Sequence, residues 1–219
     1  MFSNEQKALV ILFVISIVIG AYAYAILPSQ MVTHWNAQGK PNGYLSKEHG
    51  VFIMPLVLAF ISALCFVIPK IDPFKANLEG FRVQYERFFI VVAVVMLLVQ
   101  IQSILWNLGT MIDFSITMPI LLGLLFIYLG FFLEKSKRNW FMGIRTPWTM
   151  SNDKVWERTH QVGCKIFVVA GILSILSAFF PVIGILPVIG FILLGSLFLI
   201  VYSYWVYREE ENSKDSKKR

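Results

Sequence analysis

Apolar residues in this chain run in long unbroken blocks separated by short polar stretches. Residues 8–27, 51–69, 88–106 and 116–133 are each close to the roughly 20 apolar residues that a helix needs to cross the hydrocarbon of a bilayer. The last block, 166–207, holds 42 residues without a single charge. At about 1.5 Å of rise per residue it is far too long for one crossing. Pro181, Gly184 and Pro187 punctuate it, so a turn is predicted at 181–187. The pattern therefore predicts an all-α, polytopic membrane protein with six transmembrane helices.

Charge agrees with six alternating crossings. Seventeen of the 19 Lys and Arg fall at the N-terminus, in the second-to-third and fourth-to-fifth connections and in the C-terminal tail. The opposite side holds only Lys40 and Lys47. By the positive-inside rule both termini and the two basic connections are cytoplasmic, in a cell (cytoplasmic) membrane protein. The first block competes with a secretory signal, since Lys7 and Ala21-Tyr22-Ala23 loosely fit one, but it exceeds the usual signal core of about 7–15 residues. Composition closes off the soluble classes. Hydrophobic residues make up 57% and charged ones only 15%, against roughly 25% charged in an ordinary globular domain. The net charge of +6 follows from topology and anionic lipid, and no direct nucleic-acid partner is expected. Cys65 and Cys164 fall near cytoplasmic helix ends, where a reducing compartment argues against a disulfide.

None of the assigned spans contains Asp, Glu, Lys, Arg or His, which speaks against a proton- or ion-coupled transporter. Gln100, Ser103 and Asn107 instead form a polar face on the third span. It either hydrogen-bonds a neighbouring helix or lines a ligand path. His34 and His49 lie on one side and His160 on the other, so the three cannot gather on a metal. No nucleophile–base pair stands out. No cofactor, metal or enzymatic activity is expected.

Two connections exceed the usual 2–8 residues. The external one, 28–50, carries turn signals at Asn36 to Gly39 and at Pro41-Asn42-Gly43. It is read as a compact loop presenting His34, Trp35 and Tyr44 at the outer interface, as an aromatic belt or as a recognition surface. The cytoplasmic one, 134–165, contains Gly143, Arg145, Thr146, Pro147, Trp148 and Thr149. Pro147 disfavours helix at Thr146. Thr149 or Ser151 is expected to cap a short interfacial helix running into span five, with Trp156 and His160 on one side. The element is read either as a membrane anchor or as a docking element, with Arg145 suited to carboxylate or phosphate.

The run Gly143-Ile144-Arg145-Thr146-Pro147-Trp148-Thr149, with Val155-Trp156 after it, resembles the signature of the SdpI family of bacterial membrane immunity proteins. The segment Thr33-His34-Trp35-Asn36, Gly39, Pro41-Asn42-Gly43-Tyr44 and Ser46-Lys47 resembles the domain of unknown function that often precedes it. The resemblance implies two units, a two-helix unit at 1–69 and a four-helix SdpI-like unit at 70–219. It also implies protection against a secreted peptide toxin, with a soluble transcriptional repressor held at the membrane as a second partner. Lipid bilayer is the remaining partner. The alternative kept beside it is an uncoupled small-molecule carrier or lipid-interacting protein.

Overall fold

The computed structural model describes residues 2–180 and 184–218, with side chains as far as 214. The predicted turn at 181–187 is thus described only from Gly184 onward, and Pro181, Val182 and Ile183 lie outside the described residues. Helix α1 (Asn4–Ile26) leads into a β-hairpin of β1 (Gln30–Trp35) and β2 (Pro41–Ser46). A short α2 (Lys47–Gly50) runs into α3 (Ile53–Ile71), followed by α4 (Lys75–Glu79), α5 (Arg82–Asn107) and α6 (Phe114–Lys135). Then come α7 (Pro147–Ser151), α8 (Asp153–Ser177) and α9 (Leu186–Lys218). Six helical stretches are long and apolar enough to cross a bilayer: α1, α2 with α3, α5, α6, α8 and α9. The fold is an all-α polytopic membrane protein with one small hairpin added.

Several helices overrun their apolar blocks at one end, because a helix continues into the interfacial region as long as its end is capped. Helix α5 starts at Arg82 rather than at residue 88 and so includes Glu86; α8 starts at Asp153 and includes His160. Both side chains are buried, so the membrane-length helices do carry titratable groups near one end. The capping expectation also changes. Thr146 caps α7 and Asn152 caps α8, in place of Thr149 or Ser151. Pro fixes its own φ at the first helical position and keeps the preceding residue extended. Thr146 accordingly sits at φ −115°, ψ 163°, and α7 starts one residue later. Asn152, at φ −148°, breaks the chain between α7 and α8, so two helices stand where one was expected.

Helices α1, α3 and α5 pack as one group around Leu9, Leu58, Tyr85, Phe89 and Ala93. Helices α6, α8 and α9 form the other, with α5 against α6 as the seam. The third span thus packs with the first two, across the sequence division at residue 70. Between α6 and α8 the backbones touch: a Cβ on Gly123 would lie 2.6 Å from the Gly171 carbonyl, and one on Gly171 would lie 2.5 Å from the Gly123 carbonyl. Such small-residue contacts let membrane helices gain dispersion energy where lipid offers no hydrophobic drive. Ser174 adds a hydrogen bond to the Pro119 carbonyl at 2.7 Å.

The two ends of the bundle have separate casts. At one end Ser3 and Gln6 meet Glu86, Asn77 meets the Arg138 carbonyl, and Arg158 meets Glu209. At the other the hairpin meets Asn107 and Phe114. This is what an even number of alternating crossings requires.

Candidate functional site

The motif from the fourth-to-fifth connection folds into a cap that joins α6, α8 and α9. Asn139, fully buried, organises its first turn. Its Oδ1 accepts from the backbone N–H of Phe141 (3.0 Å) and Met142 (2.7 Å), and its Nδ2 donates to the carbonyls of Lys137 and Met142. Gly143 follows at φ +113°, where an L side chain is strained, and a Cβ there would lie 2.5 Å from His160 Nε2 and 3.0 Å from the Trp156 ring. His160 Nε2 accepts from the Ile144 N–H at 2.9 Å, and Nδ1 lies 2.8 Å from the Trp156 carbonyl, an acceptor. That pair of partners selects the neutral tautomer with its proton on Nδ1. Trp156 stacks on His160 with centroids 4.0 Å apart and donates Nε1–H to the Ser136 carbonyl at 3.0 Å.

Thr146 and Thr149 make a reciprocal capping box at the start of α7. Thr149 also donates to the Ile144 carbonyl, and Thr146 Oγ1 lies 3.0 Å from Ser203 Oγ on α9. Trp148 packs on Tyr204 of α9 at 5.0 Å. Gly143, Thr146, Thr149, Trp156 and His160 therefore hold the cap together. Arg145 and Pro147 are the exposed residues of the 143–149 motif. The Arg145 guanidinium reaches back to the Trp140 carbonyl and has no acidic partner among the described residues. Trp140 itself is 50% exposed beside it.

At the opposite end the long loop is a hairpin, which an all-helical reading of the sequence leaves out. Asn36 to Gly39 does form the turn: Asn36 Oδ1 accepts from the backbone N–H of Gln38 and Lys40, and Gly39 adopts φ +70°. Pro41-Asn42-Gly43 is strand rather than turn. It lies in β2, where the register skips, pairing His34 with Gly43 and Trp35 with Pro41. That skip is a bulge, and it absorbs residues that would make a turn elsewhere. His34 is exposed and bonded to Asn42 at 2.6 Å, and Tyr44 is 58% exposed. Trp35 is turned inward. It stacks on Phe114 at 3.8 Å and meets Trp106 edge-on at 5.7 Å. Hence Trp35 anchors the hairpin, and the open face is left to His34 and Tyr44.

The polar face of the third span is drawn into pairing. Gln100, buried, donates Nε2–H to the Ser16 carbonyl (3.0 Å) and accepts from Ser16 Oγ (2.6 Å), tying α5 to α1. Asn107 accepts from the Val32 N–H (2.7 Å) and donates to the Val32 carbonyl (2.9 Å), as a neighbouring strand would. Ser103 alone of the three lines a cavity of about 490 Å³. That cavity lies at the seam between the two helix groups. Its walls are Met54, Val99, Met118, Leu122, Leu186 and Ile189, with β1 over its outer end.

Sequence reasoning missed three buried polar residues, of which Glu86 ties α5 to the start of α1 while Asp72 and Gln102 reach across to the other helix group. Glu86 accepts from Ser3 Oγ (2.7 Å), Gln6 Nε2 (2.9 Å) and Arg82 Nε (3.0 Å). Asp72, fully buried, accepts from the backbone N–H of Phe74 (2.7 Å) and Trp140 (3.0 Å). Gln102 joins Thr117 on α6 at 2.6 Å. A lone acid close to an apolar block was the available signal for Glu86. Asp72 and Gln102 gave none, because their partners are distant in sequence. Among the described residues no group of three or more His, Cys, Asp and Glu could hold a metal ion, and both cysteines are free and buried.

Residues 135–207 match the model of the SdpI/YfhL protein family. The chain resembles that family over this segment. Its SdpI segment takes in the whole cap, α7, α8 and most of α9, so the buried motif residues fall inside it. Residues 11–59 match DUF1648, a domain of unknown function, which takes in most of α1, the hairpin and the start of α3. The chain is also 26% identical over 206 residues to a protein named Immunity protein SdpI from Bacillus subtilis (strain 168), with 94% of this chain and 97% of that protein covered. No solved structure matches.

Proposed function

We propose that this chain is an immunity protein of the cytoplasmic membrane that protects its cell from a secreted peptide toxin met at the hairpin end. The observation that carries the reading is the 26% identity to an immunity protein across 94% of the chain, through both family segments. In this reading the cap end, with 17 of the 19 basic residues, is cytoplasmic together with both termini. Cysteines placed at Tyr44 and Arg145 and reacted with a membrane-impermeant maleimide on whole cells test that orientation: only the first should label. Survival of a toxin-sensitive strain expressing the chain tests immunity. Survival no better than empty vector, at normal membrane levels, rejects it.

The exposed part of the cap, Arg145 with Trp140 and Pro147, is the surface we assign to a soluble cytoplasmic partner such as a transcriptional repressor. Arg145 is free of acidic partners among the described residues, so it has donors to offer. A second reading, an uncoupled small-molecule carrier or lipid-interacting protein, draws on the cavity at the seam. Gln100 and Asn107 spend their amides on Ser16 and Val32, which leaves Ser103 as the member of that stripe on the cavity wall. Uptake by proteoliposomes that is lost on changing Ser103→Leu, with immunity unchanged, would favour the carrier.

A further inference from the structure

The seam cavity has a chemistry that narrows its occupant. None of the described residues lining it is Asp, Glu, Lys or Arg. Its apolar wall comes from four membrane helices, and its polar part comes from Thr33, His34 and Asn36 of the hairpin with Ser103 of α5 and Ser115 of α6, whose hydroxyl is spent on Asp113. His34 Nδ1 is already paired with Asn42. A phosphate group would find no cation here, and a carboxylate would find none either. Two methionines, Met54 and Met118, stand on different helices, and methionine walls adapt to varied apolar shapes. Trp35 also lines the cavity, and its buried Nε1–H has no acceptor among the described residues. Native structures rarely leave such a donor orphaned, and a peptide carbonyl is the acceptor that a neutral ligand brings.

We infer that the seam cavity is a binding site for an uncharged apolar peptide segment, whose side chains enter between the two helix groups and whose amides meet the hairpin and Ser103. The inference rests on the proposed immunity reading for its choice of a peptide over a lipid chain. It adds the place of binding and the ligand's chemical class. About 490 Å³ suits a segment of two or three such residues, within the roughly 300–1,000 Å³ of ordinary ligand cavities.

The test uses the full chain in nanodiscs of dioleoylphosphatidylcholine. The probe is N-acetyl-trileucine-amide with a diazirine leucine at its centre, and cross-links are mapped by mass spectrometry. Labelling is expected on Met118, Leu122 or Ile189, and unlabelled N-acetyl-trileucine-amide should displace it. The same peptide with a central lysine should compete at least ten-fold more weakly. Val99→Phe and Met118→Phe, which narrow the cavity, should each cut labelling at least ten-fold. If either variant fails to accumulate, the map on the unaltered protein still decides. Absence of label on these walls overturns the inference. So does efficient labelling of them by a diazirine-acyl phosphatidylcholine that the capped peptide cannot displace. Cells protected by a chain that fails to label would sink this inference and leave immunity standing, whereas labelling without protection would sink immunity alone.

Discussion

Replacing Gly143 with alanine should loosen the cap by an amount that can be separated into parts. The residue sits at φ +113°, and an alanine Cβ would lie 2.5 Å from His160 Nε2. Holding a non-glycine residue in such a region costs of order 1–3 kcal/mol. The contact also forces His160 off the Ile144 N–H, leaving a buried donor and acceptor unmatched at about 1–3 kcal/mol. A loss of about 3 kcal/mol is the expected sum, because strain relief and ring movement share one displacement. Gly109 is an internal control. It has φ +94° and nothing within 4 Å of its would-be Cβ, so Gly109→Ala carries only the backbone strain. Both variants should be unfolded by SDS titration in dodecylmaltoside micelles, with loss of helical circular dichroism as the readout. Gly143→Ala should fall below Gly109→Ala by at least 1 kcal/mol, within the range expected for an orphaned polar pair. Adding His160→Ala to Gly143→Ala removes the clashing ring atom, so the double variant should be more stable than the two single losses summed. Equal losses at Gly143 and Gly109, with strict additivity at His160, would refute the reasoning that the glycine exists to admit the histidine.

Gln100→Leu should cost about 1 kcal/mol, since two interhelical hydrogen bonds of about 0.6 kcal/mol each are lost from α1–α5; SDS titration reads it, and no loss means that the amide finds equal partners in the unfolded chain. Asp72→Ala should leave the Phe74 and Trp140 N–H groups without their acceptor, at about 1–3 kcal/mol for each. It should expose the cap to trypsin at Arg138 and Arg145 in inverted vesicles, and unchanged cleavage kinetics would count against the cap being held from α3. Gly171→Val should shift the α6–α8 crossing and lower the yield of folded protein, as size-exclusion profiles would report. Arg145→Ala should lower cell survival more than Lys137→Ala does, because Arg145 sits inside the motif and bonds the Trp140 carbonyl; equal effects would mean that only bulk positive charge matters.

The spans were legible because lipid imposes a simple rule: every backbone polar group inside the hydrocarbon must be satisfied within the element, so long apolar runs can only be helices. The rule says nothing about where a helix stops once it meets the interface. That is why α5 and α8 overrun their apolar blocks to include Glu86 and His160. The hairpin was harder to see. Its strands are six residues long and irregular in register, and β2 opens on Pro-Asn-Gly, so neither strict alternation nor a clean turn signal marks them. Pro41-Asn42-Gly43 has turn chemistry, yet Asn36 closes the turn five residues earlier and leaves it to the strand. The motif was visible as a motif, but its side chains' roles were not. Buriedness of Thr149 and His160 depends on α8 and on the approach of α9 through Ser203, contacts that no local pattern encodes.

A specific sequence signature invites the inference that its residues touch the ligand, and here the geometry argues otherwise. Gly143, Thr146, Thr149, Trp156 and His160 spend their hydrogen-bonding groups and their space on one another and on Ser136 and Ser203. Their chemistry suits a buried loop beside the membrane, where each unmet backbone group is expensive. The cap lies at the opposite end of the bundle from the seam cavity, so a ligand in that cavity cannot touch the motif. Any influence of one on the other must pass through helices that reach both: α3, with Met54 at the cavity and Asp72 bonded to the cap, and α6 and α9. Helix α6 carries Met118 at the cavity and Phe132 in the core near the cap; α9 carries Ile189 at the cavity and Ser203 under Thr146. A shift of α9 that opened the cavity would draw Ser203 away from Thr146. Coupling of that kind needs two arrangements that differ in their affinity for the ligand. Ser203→Ala supplies the measurement: if binding at the cavity and the state of the cap are coupled, removing this one contact should change the affinity for the capped trileucine several-fold although Ser203 is not part of the cavity wall, and an unchanged affinity would mean that the two ends act independently.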